Sequence, residues 1–156
     1  MDEKLERVIA AGRDAGIDVS PTTFSAGTRT AGDAAREVGC DISQIVKSLV
    51  FGSERGPILF LVSGANRLDA TKGAAAAGVS GLDRADADAA KRATGYSIGA
   101  TPPLGLATDL GVFMDEDLLV HDVVWAAAGR PDSVFPADPK ELARAAGAEI
   151  AELKEG

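Results

Sequence analysis

The sequence predicts an α/β fold of the α+β type, with a mixed β-sheet flanked by helices. Strand-like and helix-like segments alternate along the 156 residues without the regular rhythm of repeated βαβ units. Hydrophobic residues make up 46% of the chain, enough to bury a core. Neither an internal repeat nor a low-complexity linker divides it, so we expect residues 1–156 to form one domain.

Helices are predicted where apolar residues recur at helical spacing between a capping side chain and a glycine. Residues 2–15 carry Leu5, Val8 and Ile9 on one face and stop at Gly16. The later helices begin at Thr or Asp caps, and the last has a proline in its first position. From cap to stop, these helices cover 30–39, 69–78, 86–95 and 138–147, with a short turn over 42–45.

Strands are predicted at short apolar runs bounded by polar turns. Residues 46–51 and 57–62, separated by the turn 53–56, have the pattern of a hairpin, and 63–66 form the next break. The run 101–105 can be neither a helix nor a central strand, because it contains two prolines. Further strands are expected at 112–114, 120–126 and 134–135, with a short extended segment at 96–99.

Charge and composition exclude several classes of protein. With a formal net charge of −8, the chain lacks the basic face of a general nucleic-acid binder, so any such contact is expected to be local. The single cysteine excludes an internal disulfide and is typical of a reducing compartment. No signal-peptide pattern and no apolar run of roughly 20 residues is present. We therefore expect a soluble, cytoplasmic protein without membrane contact.

Several familiar catalytic motifs are missing from the sequence. It has no P-loop, no G-x-G-x-x-G and no S-x-x-K. One cysteine and one histidine are too few for a typical zinc site, so neither a metal nor another cofactor is expected. His121 lies in a turn before a strand, and Cys40 lies beside an acid that raises a thiol pKa. Both are interpreted as structural.

Lys47 stands out because it interrupts an apolar strand, where a buried ammonium is costly unless it faces a cavity or a partner. Strand alternation places it on one face with Leu49 and Phe51, opposite Ser48. Its amine either emerges into a cleft or protects an edge strand against aggregation. The pattern alone does not separate these two interpretations.

Two further stretches combine small or rigid residues. In 99–103, a glycine precedes Ala-Thr-Pro-Pro, so a loop of fixed shape could aim backbone groups at a ligand. A plain rigid turn explains the same residues and is favoured by the pattern alone. In 126–130, Ala-Ala-Ala-Gly-Arg permits close approach of a ligand or, equally, tight packing at the end of a sheet.

Taken in order, these stretches resemble the YbaK/ProX family of aminoacyl-tRNA editing domains. The lysine followed by Ser48, together with the G-x-x-x-P loop, is fairly specific as a combination. The resemblance extends from about Thr28 to the C-terminal end, whereas residues 1–26 carry little of it. The matching stretches are 45–51, 63–69, 93–105, 122–130 and 138–147.

The resemblance implies a single α/β domain with a curved mixed sheet that hydrolyses the ester between a wrong small amino acid and the terminal adenosine of tRNA. Lys47 would be the essential catalytic residue, and Gly99 and Pro103 would frame the aminoacyl pocket. The implied partner is the acceptor end of mischarged tRNA of the tRNA(Pro) type, with prolyl-tRNA synthetase and a second copy of the chain as further candidates. The other implied substrate-binding residues are Ser48, Ser63, Ala100, Thr101, Pro102, Ala128 and Gly129.

The identity of the substrate is the point where this chain departs from one branch of the family. Cysteinyl-tRNA deacylases usually carry Ser before the Ala-Gly pair, where this chain has Ala127. We therefore expect alanine or another small amino acid instead of cysteine. Two other functions stay open on the same scaffold. One is a module that binds aminoacyl-tRNA or a small ligand without catalysis. The other is an esterase for free aminoacyl esters, which the acidic charge favours.

Overall fold

The computed structural model describes residues 2–24 and 30–156, in which five α-helices and eight β-strands form a mixed α/β fold. The helices are α1 (Glu3–Asp14), α2 (Ala31–Val38), α3 (Ala70–Ala77), α4 (Ala87–Thr94) and α5 (Pro139–Ala146). The strands are β1 (Thr22–Thr23), β2 (Val46–Gly52), β3 (Ile58–Ser63), β4 (Asp83–Arg84), β5 (Gly111–Asp115), β6 (Val124–Ala127), β7 (Ser133–Ala137) and β8 (Glu149–Ala151). The predicted class is confirmed. The point near Thr28 where the family resemblance begins lies outside the described residues.

The helices begin and end where their capping residues predict. Asp69 accepts hydrogen bonds from Thr71 N at 2.9 Å and Lys72 N at 3.1 Å, and Asp138 accepts from Lys140 N and Glu141 N in the same way. Thr30 and Asp86 cap α2 and α4, and a glycine follows each of α2 to α5. Within the described ranges, no helix combines the length and the apolar character needed to cross a membrane.

The strands form two sheets. A five-stranded mixed sheet has the order β4-β2-β3-β5-β8, with β2 antiparallel to β3 and β5 parallel to β3. A three-stranded antiparallel sheet has the order β1-β7-β6. An isolated parallel bridge between Ile45 and Trp125 joins the two sheets. The predicted hairpin is confirmed, because β2 and β3 pair from Val46–Ser63 to Phe51–Ile58.

Strand β3 is the centre of the five-stranded sheet and is buried along its whole length. A strand covered on both faces has a continuous apolar run rather than an alternating one, as Ile58–Val62 does. On one face its side chains pack with α1, Tyr96 and the three-stranded sheet. On the other, Phe60 packs between Phe51 and Phe113, with ring centroids 5.9 and 5.7 Å away.

Two segments differ from their prediction. Residues 120–126 were expected to form one strand, but Glu116–Val120 form a 3₁₀ turn and β6 begins at Val124. The turn is favoured because the Asp115 carboxylate accepts from Asp117 N at 3.0 Å, and Val120 is 77% exposed. Residues 96–99 were expected to be extended, but the chain turns there, with Ala100 N donating to Ser97 O at 3.0 Å. The short strands β1, β4 and β8 were not predicted.

Candidate active site

A cavity of about 290 Å³ lies where the two sheets meet. β2 and β6 touch at the Ile45–Trp125 bridge, and both strands then run along the cavity in the same direction. Helix α2, strand β7 and the loop after Tyr96 supply the remaining walls. The described lining residues come from five separate stretches of the chain: Thr30, Ala31, Ala34; Ile45, Val46, Lys47, Ser48, Leu49; Ile98, Gly99, Thr101; Trp125, Ala127; and Pro131, Ser133, Val134.

Beside the cavity, β2 presents an open edge of its sheet. β4 pairs with β2 only at Phe51 and Gly52. Ala85 N donates to Val50 O at 3.2 Å, so the backbone groups of Val50 point away from β3. Backbone direction repeats at every second residue of a strand, and Ser48 therefore points its N–H and C=O to the same edge. The open edge of β2 therefore borders the cavity with both a backbone donor and a backbone acceptor.

Lys47 also lines the cavity, and its ammonium donates a hydrogen bond to the backbone oxygen of Asn66, in the turn after β3. Partial burial lowers the pKa of Lys47, and the nearby Arg67 lowers it further, whereas Asp115 acts in the opposite direction. An ammonium has three N–H donors. With Asn66 as its hydrogen-bond partner among the described residues, Lys47 has two donors left for a ligand.

Asn66 belongs to a group of polar residues that the sequence analysis did not identify. Its side-chain nitrogen donates to Asp115 and to Asp117, each at 2.9 Å. Asp115 is 0% exposed and also accepts from Ser63 N at 3.1 Å. Asp117 binds the Lys154 ammonium at 3.0 Å, and both Asn66 and Lys154 lower the pKa of Asp117. The residue that binds the Lys47 ammonium is thus itself held by two carboxylates.

Ser48 contributes a second polar group at the cavity wall. Its hydroxyl oxygen is buried, and no donor or acceptor in the described part of the chain pairs with it. Leaving a buried hydroxyl unpaired costs about 1–3 kcal/mol, and an ordered water or a ligand can supply the missing contact. Ser48 lines both the main cavity and a smaller adjoining recess of about 30 Å³, which also contains the exposed Arg84.

The loop that starts at Gly99 is fixed on both sides. Gly99 has φ +89°, a left-handed conformation that suits glycine. The Thr101 hydroxyl donates to Ser97 O at 3.2 Å, and Gly129 N donates to Ala100 O at 3.1 Å. Gly99 and Thr101 line the cavity, so the loop is both a rigid turn and part of the cavity wall, and its contact with a ligand stays a prediction.

The structure brings four of the predicted site residues together at the cavity: Lys47, Ser48, Gly99 and Thr101. The other six are buried behind its wall, outside the described lining residues: Ser63, Ala100, Pro102, Pro103, Ala128 and Gly129. Ser63 donates from its hydroxyl to Ser43 O at 2.8 Å. At Gly129, a side chain would come within 3.1 Å of Lys4 O and of the Tyr96 ring. These residues hold the loop and the strand ends in place.

Several lining residues were missed by the sequence analysis. Trp125 is the chain's one tryptophan and lines the cavity. A single large aromatic residue was a usable signal, but its segment was predicted only as a strand. Ile98 is an apolar loop residue that is 58% exposed beside the cavity. Ala31 and Ala34 give no signal, because alanines on a helix are ordinary packing residues. Their position follows only from the packing of α2 against the sheet junction.

Cys40 and His121 lie outside the described cavity lining. Burial and the adjacent Asp41 carboxylate raise the pKa of the Cys40 thiol, as the sequence suggested. Over residues 2–24 and 30–156, no group of three His, Cys, Asp or Glu side chains is arranged to hold a metal ion. The described lining residues supply one ammonium, hydroxyl groups and backbone groups.

Together, the fold and the site define a small α/β protein with a compact cavity between an open strand edge, a rigid loop and Lys47. The chain belongs to the aminoacyl-tRNA editing domain family, whose model matches residues 25–145. It is therefore an aminoacyl-tRNA editing domain, and the resemblance to the YbaK/ProX family is confirmed.

Relatives and solved structures agree with this assignment. The chain is 44% identical to the solved structure of a candidate trans-editing enzyme for prolyl-tRNA synthetase, with a TM-score of 0.94 over 100% of this chain and 99% of that one. The uncharacterised protein YwhH of Bacillus subtilis is 31% identical over 78% of this chain and 77% of its own length. EbsC of Enterococcus faecalis, a candidate Cys-tRNA(Pro)/Cys-tRNA(Cys) deacylase, is 23% identical over 80% of this chain and 76% of its own.

Proposed function

We propose that the chain is a cytoplasmic hydrolase that removes a small, wrongly attached amino acid from tRNA of the tRNA(Pro) type. Residues 1–156 would act as one editing domain, in trans to prolyl-tRNA synthetase and without a cofactor. The observation that carries the proposal is the placement of Lys47, Ser48, Gly99 and Thr101 around one cavity. Family membership and the names of the relatives support it.

Lys47 would act on the charge that develops during ester hydrolysis. When water attacks the ester carbonyl, negative charge grows on the carbonyl oxygen, and a fixed cation stabilises it. Of the three Lys47 donors, one binds Asn66, and the other two would reach the ester and ribose oxygens. The bond from water oxygen to carbonyl carbon forms, the bond from carbon to ribose oxygen breaks, and a water proton passes to that ribose oxygen.

The remaining cavity groups would hold the amino acid. The Ser48 carbonyl at the strand edge is placed to accept a hydrogen bond from the substrate's ammonium, and the Ser48 hydroxyl can add a second contact. No His or carboxylate side chain contacts the Ser48 or Thr101 hydroxyl in the described part of the chain. The Ser133 hydroxyl contacts the Asp132 carboxylate at 3.0 Å, but that carboxylate is held by Arg130 in an ion pair, which makes it a poor general base. This favours attack by water or by the substrate's own side chain over a covalent intermediate.

Size would select the substrate. A cavity of about 290 Å³ is at the small end of ligand pockets, which run from about 300 to 1,000 Å³. Alanines at positions 31, 34 and 127 line it, so a small aminoacyl group fits and a larger one meets the wall. Arg84, in the adjoining recess, is a cation in reach of a nearby tRNA phosphate.

The proposal predicts selective hydrolysis across a panel of charged tRNAs. The panel comprises tRNA(Pro) carrying alanine, cysteine or proline, and an alanyl ester without tRNA. We expect alanyl-tRNA(Pro) to be hydrolysed at least about tenfold faster than prolyl-tRNA(Pro), since the steric selectivity of a pocket is worth about 10- to 200-fold. Release of labelled amino acid, corrected for spontaneous hydrolysis, measures each rate.

Each alternative function gives a different outcome in the same panel. Equal rates on all charged tRNAs would contradict selection by the cavity. An ester without tRNA hydrolysed as fast as alanyl-tRNA would identify a small-molecule esterase. Binding of alanyl-tRNA without hydrolysis would identify a non-catalytic module. Gel filtration tests separately whether two copies of the chain associate.

A substitution at Ser48 separates substrate binding from folding. Ser48→Ala removes a buried hydroxyl that has no partner in the described part of the chain, so Tm should be unchanged or higher. KM for alanyl-tRNA should rise about 2- to 10-fold, the equivalent of one hydrogen bond of about 0.5–1.5 kcal/mol. Thermal melting and steady-state deacylation measure the two effects.

Ser80→Ala is the matched control for this substitution. It removes an exposed hydroxyl that donates to Glu54 at 2.9 Å, and Ser80 lies outside the described cavity lining. KM should therefore stay at the wild-type value. A lower Tm with unchanged KM in Ser48→Ala would show that the hydroxyl has a structural partner and no role in binding.

A further inference from the structure

The Lys47 ammonium is held by a residue that is itself immobilised. Lysine carries its charge on a flexible four-carbon stem with several rotatable bonds, so a strand alone does not fix the position of the ammonium. The backbone oxygen of Asn66 accepts one of its hydrogen bonds, and Asn66 N donates to Ser63 O at 2.9 Å in the same turn. The place of the ammonium therefore depends on how firmly this turn is held.

We infer that Asn66, held by Asp115 and Asp117, is the positioning residue for the Lys47 ammonium. The inference rests on the proposed hydrolase function. Asn66 touches no substrate in this scheme and acts only through Lys47, which makes it a positioning residue rather than a catalytic one.

The Asn66 side chain has no freedom left in this arrangement. Both donors of its amide are used, one on the Asp115 carboxylate and one on the Asp117 carboxylate, each at 2.9 Å. A side-chain amide has only two N–H donors, so this pair of contacts fixes its rotation.

Asp115 gives this arrangement a rigid base. It is fully buried at the end of β5 and accepts from Ser63 N at 3.1 Å, Asp117 N at 3.0 Å and the Asn66 amide. A buried carboxylate requires such donors, because it has lost its hydration. Two cations, Lys47 and Lys154, also feel its charge. The orientation of Asn66 is therefore fixed by the core of the five-stranded sheet.

The same group of residues reaches the C-terminal segment. Lys154 binds Asp117 at 3.0 Å. Main-chain hydrogen bonds hold the neighbouring residues in place, from Asp69 N to Leu153 O at 2.8 Å and from Glu155 N to Arg67 O at 2.9 Å. The turn that supports Lys47 is thus attached on one side to β5 and on the other to residues 153–155.

The test uses Asn66→Ala, which removes the two side-chain contacts but keeps the backbone oxygen that binds Lys47. We expect kcat for alanyl-tRNA to fall about tenfold with little change in KM, since a small displacement of a catalytic group is enough for such a loss.

A second measurement follows the ammonium itself. The ¹³Cε resonance of Lys47, assigned with a Lys47→Met variant, reports the pKa of Lys47. We expect it to rise toward the ordinary lysine value, because the released ammonium gains water while Arg67 and Asp115 still face it.

Asp138→Ala is the matched control. It also removes two hydrogen bonds, those from Lys140 N at 2.8 Å and Glu141 N at 3.2 Å, at the start of α5 and outside the described cavity lining. Tm should fall by a similar few degrees in both variants. Only Asn66→Ala should change kcat and the Lys47 titration. Wild-type kcat and Lys47 titration in Asn66→Ala, or an equal loss of kcat in Asp138→Ala, would overturn the inference.

Asp117→Asn covers the case in which Asn66→Ala does not fold. Asp117 is partly exposed, so the substitution is tolerated, and it weakens the hold on Asn66 from one side. A smaller fall of kcat in the same direction supports the inference, and unchanged kcat contradicts it. If the wild-type chain hydrolyses no charged tRNA, the proposed function fails, but the Lys47 titration still tests whether Asn66 holds the ammonium.

Discussion

Replacing Lys47 with alanine is expected to lower the single-turnover rate of alanyl-tRNA hydrolysis by about 100- to 1,000-fold, the range found when one charge-stabilising group is removed from an active site. Lys47 lines the cavity, and its ammonium has two donors left beyond its bond to Asn66. No other lysine or arginine lies among the described lining residues, so no second cation replaces it. Release of labelled alanine under excess enzyme measures the rate.

Stability and charge controls isolate this effect. Because burial lowers the pKa of Lys47, folding disfavours its charged form, and Lys47→Ala should keep or raise the wild-type Tm at neutral pH. Lys140→Ala, an exposed lysine on α5, should leave the rate unchanged. Lys47→Arg should recover only part of the activity, because a planar guanidinium does not occupy the position of an ammonium. Wild-type hydrolysis by a folded Lys47→Ala variant would remove the basis of the proposed mechanism.

Filling the cavity from β6 should slow hydrolysis by weakening substrate binding rather than by removing the charge. Ala127 lines the cavity, and Ala127→Phe would place a ring in the space proposed for the aminoacyl group. We expect kcat/KM for alanyl-tRNA to fall about 10- to 200-fold, the range that steric exclusion from a pocket provides. Most of the loss should appear in KM, because Lys47 and its support are untouched. Steady-state deacylation kinetics measure both constants.

Ala127→Ser is the conservative partner of that substitution. It adds one hydroxyl at the position where cysteinyl-tRNA deacylases of the family usually carry serine. We expect the ratio of cysteinyl-tRNA(Pro) to alanyl-tRNA(Pro) hydrolysis to rise, while Tm stays near the wild-type value. If Ala127→Phe hydrolyses alanyl-tRNA as fast as the wild-type chain, the aminoacyl group does not bind where we propose.

Most of the fold could be predicted because its signals are local. Thr30, Asp69, Asp86 and Asp138 each cap a helix that starts at the next residue, and the apolar run of β3 identifies a central strand. Strands β1, β4 and β8 have only two or three residues and are mostly exposed, so no apolar pattern marks them. They exist because β7, β2 and β5 offer edges for pairing.

The division of the strands into two sheets could not be predicted from local sequence patterns, because it depends on a contact between distant parts of the chain. The sheets join through one bridge, between Ile45 and Trp125, which are 80 positions apart. Nothing in either strand indicates that β6 turns away from β2 after this contact. The cavity is a product of that separation, and its volume could not be read from the sequence.

Only part of the candidate site was predicted, because only some of its residues have a local signal in the sequence. Lys47 could be found because a charge inside an apolar strand is locally anomalous, and the Gly99 loop because two prolines follow it. Asn66, Asp115 and Asp117 gave no such signal, since polar residues in turns are ordinary. Their meaning appears only when the loop after β3 and the end of β5 are placed side by side.

In this cavity, the groups proposed to select the amino acid are different from the group proposed to promote hydrolysis. The surfaces proposed to meet the aminoacyl group are methyl groups and bare backbone at Ala31, Ala34, Ala127 and Gly99, whereas the proposed charge comes from Lys47. A single codon change can enlarge one of these surfaces without disturbing the ammonium or the carboxylates behind it. Proteins descended from one ancestral enzyme can therefore differ in the amino acid that they remove from tRNA while they keep the same reaction.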